Sequence, residues 1–120
     1  MSCRTHYGRD VQEREADERY DRLMVDLKST CKLLMRYGER HWSDWMDSVR
    51  REIEAHDAHG LTRLLQAYGG MGSFNDVYLH PPDAQGGRAT ESRDNDLLEE
   101  LRSQIWADAT ALLKALDRDA

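Results

Sequence analysis

A chain of 120 residues is one domain by length, and it can bury roughly two thirds of its unfolded surface, enough for a core without metal or disulfide staples. Apolar residues make up 39% and charged residues 33%, a balance suited to amphipathic helices with charged outer faces. The net charge of −6, with no basic stripe clear of neighbouring acids, argues against a nucleic-acid footprint, and no run approaches the ~20 apolar residues of a membrane span.

The start, Met1-Ser2-Cys3-Arg4-Thr5-His6, has no apolar stretch and does not read as a signal peptide, so a cytoplasmic protein is expected. Residues 1–9 are polar and aperiodic and are expected to form a poorly ordered tail. From about Asp10 a helical period sets in, with Tyr20, Leu23, Met24, Leu27, Cys31, Leu34 and Met35 on one face. Glu13, Glu15, Asp17 and Glu18 suit the positive end of its dipole, and Gly38 is placed to cap it after Tyr37.

A second helix carries Trp42, Trp45, Met46, Val49 and Ile53 on one face and ends around Ala55-His56. Asp57 is an N-cap candidate for a short third helix with Leu61, Leu64, Leu65 and Tyr68 facing inward. Gly60 weakens its first turn by ~1 kcal/mol relative to Ala, and Gly69 is placed to end it.

Next comes Gly69-Gly70-Met71-Gly72-Ser73-Phe74-Asn75-Asp76, three glycines in four residues. Such a run serves a backbone shape that other residues avoid. Phe74 to Leu79 is expected to be a helical turn or an extended packed segment, because a lone strand would have no partner. Pro81-Pro82 ends it, and 83–93 reads as a mobile loop. The last helix is expected from near Asn95, with Asp96 and Glu99 as a capping pair and Leu97, Leu98, Leu101, Ile105, Ala109, Leu112, Leu113 and Leu116 on its inner face. Trp106 falls off that stripe and is the aromatic expected at the surface. The sum is an all-α protein: one antiparallel bundle over 10–118, of three long helices and one short one, with a structured glycine loop.

The glycine loop could form an anion-holding nest of backbone N–H groups. It is not a phosphate-binding P-loop, because Ser73-Phe74-Asn75-Asp76 follows where Lys and Ser/Thr are required. Its other reading is a tight turn that carries Phe74 into the core, with Ser73, Asn75 and Asp76 satisfying loop amides. Gly70, Gly72, Ser73, Asn75, Asp76 and Trp106 are the candidate ligand or partner contacts. His56 and His59 straddle a helix break with no third ligand in view, so no metal is assigned, nor any cofactor. Ser73, Asp76 and His80 are close in sequence, but neighbours of this kind seldom form triads, and no catalytic residue is assigned. Cys3 and Cys31 suggest no disulfide framework; Cys31 on the apolar face reads as a buried thiol.

Two stretches, Tyr37-Gly38-Glu39-Arg40-His41-Trp42-Ser43-Asp44-Trp45 and Ala67-Tyr68 continuing through the glycine loop to Leu79, resemble a family of small bacterial proteins classed only as a domain of unknown function. Its most specific part is the Gly-Gly-Met-Gly-Ser-Phe-Asn-Asp core, and the likeness spans about residues 31–110. The resemblance implies bacterial origin and a shared fold, and no mechanism. The functional expectation is a non-enzymatic interaction module of immunity or regulatory type, with a protein partner. Small-ligand or anion binding through the glycine loop is the alternative.

Overall fold

The computed structural model describes residues 2–69, 72–80 and 88–119. The expected all-α bundle is what is found: α1 spans Ser2–Arg36, α2 Arg40–Glu54, α3 His59–Gln66 and α4 Arg88–Asp119, with a 3-10 turn at Phe74–Asp76. The helices pack as a ring, α1 on α2, α2 on α3, α3 on α4 and α4 back on α1. α1 and α4 run antiparallel: Arg22 meets Asp108 at one level and Tyr37 meets Asp94 at another.

Both long helices begin earlier than their apolar period does. α1 starts at Ser2 rather than near Asp10, and α4 at Arg88 rather than near Asn95. Of the loop expected at 83–93, residues 88–93 are thus the first turns of α4, and 83–87 lie outside the described residues. The physical reason is that apolar spacing reports which turns are buried. A polar turn free of Pro and Gly, such as Arg88 to Arg93, extends a helix without leaving that signal.

The core joins Leu23, Leu27 and Leu34 of α1, Met46, Val49 and Ile53 of α2, Leu61 and Leu64 of α3, and Leu98, Leu101, Ile105 and Ala109 of α4, closed by Phe74 and Leu79 from the segment before α4. Three residues expected on inner faces lie outside: Met35, Leu97 and Leu116 are exposed. Cys31 is half-buried, and burial pushes its thiol up to about 11.

Two helix ends share one device. Gly38, at φ +75°, follows α1, and the Glu39 and Gly38 N–H groups donate to Leu34 O (2.9 Å) and Met35 O (3.1 Å). After α2 the same paired bonds run from Asp57 N to Glu52 O and from His56 N to Ile53 O, both 2.9 Å. Here the left-handed position is held by His56, at φ +62°. A side chain in that conformation costs about 1–2 kcal/mol. The Asp57 carboxylate does serve the next helix, accepting from His59 N at 3.0 Å.

Gly60 has a steric task that propensity alone does not show. A Cβ there would lie 2.9 Å from both Glu52 Cβ and Ile53 Cγ1, so its absence lets α3 close on α2. Helix propensity favours Gly60→Ala by ~1 kcal/mol, whereas overpacking against a Cβ anchored to its own backbone costs about 1–3 kcal/mol. Gly60→Ala is therefore expected to lower the midpoint of chemical denaturation, and His56→Gly to raise it.

Asp26 lies on the α1 face toward α4, 8% exposed, with Oδ2 lacking a partner among the described residues. Nearby, Asp108 is held by Arg19 and by a two-bond clamp from Arg22. Burial, then the Asp108 charge, raises the Asp26 pKa, with Arg22 opposing. A raised acid binds its proton more tightly folded than unfolded, so ionisation destabilises the fold. That cost is absent below the unfolded value of ~4 and complete above the folded one. Asp26→Asn is expected to raise the melting temperature at neutral pH, with the gain shrinking as pH falls toward ~4. Parallel thermal melts check this, and an undiminished gain in acid would contradict it.

Candidate functional site

The described residues after α3 are tied back to the chain by one backbone bond and two side chains. The Phe74 N–H reaches back to Ala67 O at 2.8 Å, the Asn75 side-chain amide donates to Tyr68 O at 3.2 Å, and Asp76 Oδ2 accepts from Gly72 N at 2.7 Å. Gly72 has φ +79°, a conformation that L side chains rarely adopt. Phe74 is thereby swung fully into the core.

α4 then holds the backbone that follows. Arg102 Nη1 donates to Phe74 O and Val77 O, each at 2.9 Å. Asn95 takes both polar groups of Leu79, accepting from its N–H at 2.7 Å and donating to its carbonyl at 3.0 Å. From Phe74 to Leu79 the segment thus runs antiparallel along α4. Tyr68 ties the other side, its hydroxyl donating to Arg102 O at 2.8 Å. Burial lowers the pKa of the Arg102 guanidinium, with Glu99, Tyr68 and Asp76 opposing that shift. Burial also raises the Tyr68 phenol above its ordinary value.

Aromatic rings lead outward from the core: Trp42 to Phe74 (5.5 Å between centroids), Phe74 to Tyr68 (5.6 Å) and Tyr68 to Trp106 (5.0 Å). At the outer end is a cleft of about 540 Å³ lined by Tyr68, Asn75, Glu99, Arg102, Ser103 and Trp106. Trp106 is 44% exposed there.

Of the residues singled out from sequence, Asn75 and Trp106 come together in this cleft. Gly72 and Asp76 are bonded to each other beside it, Ser73 is buried with its hydroxyl lacking a partner among the described residues, and Gly70 lies outside those residues. The N–H groups of Gly72, Phe74 and Asp76 all donate within the chain, so these three are not turned toward an anion. Nothing in the residue types or spacing marks Tyr68, Glu99 or Ser103 as site residues. Arg102 did carry a signal: it stands one turn from both Leu98 and Trp106, a charge at the edge of the apolar face of α4.

Among the described residues no group of three or more His, Cys, Asp or Glu side chains is arranged to hold a metal ion, and no helix is long and apolar enough to cross a membrane.

Residues 36–87 match a family model described as "Domain of unknown function (DUF6966)". The matched stretch takes in α2, α3 and the glycine loop; the α4 side of the cleft lies beyond it. No curated protein and no solved structure was found to match.

Replacing Arg102 by Met keeps the apolar stem, leaves Val77 O without its donor and leaves Phe74 O with only the Val77 N–H at 3.3 Å. The expected loss is about 1–3 kcal/mol in unfolding free energy, whereas Ser103→Ala on the same wall stays within ~0.5 kcal/mol. Urea titration of the two variants separates them.

Proposed function

We propose that this chain is a non-enzymatic protein-interaction module, of bacterial origin and of immunity or regulatory type, acting in the cytoplasm. Its docking surface is the cleft between the glycine loop and α4. The single observation that carries this reading is Trp106, a large aromatic side chain 44% exposed in a preformed cleft and braced by Tyr68 at 5.0 Å. Tryptophan is enriched among residues that dominate binding energy, and a side chain already held in place loses little freedom on docking. Asn75, Ser103 and Glu99 supply polar groups around it, as the rim of a protein interface does. The glycine loop is then scaffold for the cleft, and Asn75 is its contribution to the contact surface.

The test is affinity capture from lysate of the source cells with the wild-type chain and with Trp106→Ala. A specific protein recovered by the first and lost with the second is the expected result. An identical set retained by both, or no specific protein with either, would overturn the reading.

A further inference from the structure

The geometry points to a basic side chain, Arg or Lys, on a segment of the partner protein as the group that seats on Trp106, with Glu99 as its counter-charge. This rests on reading the cleft as a protein-docking surface.

The chain already contains the completed form of such an arrangement. Between α2 and α3 the Arg63 guanidinium lies 4.5 Å from the Trp45 ring centroid and is paired with Glu52. Ring, cation and carboxylate are all present there. Trp106 and Glu99 supply the ring and the carboxylate in the cleft, and among the described residues no cation lies over Trp106. A cation over an indole face is attracted by the negative face of the ring, and tryptophan is the best aromatic partner for it.

The surrounding charge favours the same occupant. The positive group in the cleft, Arg102, already holds Phe74 O and Val77 O through Nη1 and is flanked by the carboxylates of Glu99 and Asp76. Asp96, Glu99 and Glu100 are exposed on the same helix, and the whole chain carries −6. An approaching basic segment is steered toward such a surface and an acidic one is repelled.

The experiment is titration calorimetry at low ionic strength. The probes are two synthetic peptides, one alternating Arg and Gly and one alternating Asp and Gly. They are titrated into the wild-type chain and into Trp106→Leu, Trp106→Phe and Glu99→Gln, each first checked for native circular dichroism. The expected result is binding of the Arg peptide only. Trp106→Leu weakens it about fivefold, Trp106→Phe less, and Glu99→Gln about threefold. Added salt reduces it throughout.

Equal Arg-peptide affinity in the wild type and Trp106→Leu would mean attraction to net charge alone and would overturn the inference. Preference for the Asp peptide would overturn it too. So would binding of neither peptide while a Trp106-dependent partner is still captured from lysate, and in that case the docking reading survives. Absence of any Trp106-dependent partner removes the docking reading itself.

Discussion

Asn95 and Arg102 hold a stretch of backbone that runs on from a single 3-10 turn with no strand beside it. Val77 O and both polar groups of Leu79 find their partners on these two side chains of α4, and Phe74 O accepts from Arg102 as well as from the Val77 N–H. Phe74 and Leu79 are fully buried, so the backbone that carries them has to run against the protein. A buried carbonyl or amide without a partner costs about 1–3 kcal/mol, enough to expel a short segment from a marginally stable fold. The two side chains do for this segment what a neighbouring strand would do in a sheet.

The cleft follows from that restraint. With Phe74 fixed in the core, Tyr68 packs against it and Trp106 against Tyr68, so the outermost ring is braced through to the interior. Asn75 is pinned by its bond to Tyr68 O and closes one side. A surface made in this way is ordered before anything binds to it, which favours recognition by a rigid aromatic anchor. Gly72 belongs to the same construction: its positive φ permits the turn in which its N–H donates to the Asp76 carboxylate.

Much of the fold could be read in the sequence, because burial leaves a periodic mark. The inner faces of α2 and α3, the stop at Gly38, the inward turn of Phe74 and the exposure of Trp106 all follow from spacing or from glycine chemistry. The turns at Ser2 to Arg9 and Arg88 to Arg93 belong to helices but carry no apolar stripe in the sequence, so periodicity does not report them. Propensity describes Gly60 as a weak helix former, while its role is the close approach of α3 to Glu52 and Ile53 of the preceding helix, which a period of apolar residues does not report. The site was half legible. Asn75 and Trp106 stood out by residue type and offset. Asn95 and Arg102 look like ordinary polar positions of a helix until the facing backbone is known, because a side chain that satisfies distant main chain leaves no local pattern.

The most direct test of this account is the hydrogen-exchange rate of the Leu79 amide, followed by NMR in the wild-type chain and in Asn95→Ala. In the wild type that proton is donated to Asn95 Oδ1, and it should exchange as slowly as the amides of the α4 core turns around Leu101 and Ile105. In the variant it should exchange much faster while those core amides stay protected. Fast exchange in the wild type, or unchanged protection in the variant, would contradict the claim that α4 side chains hold this segment in place.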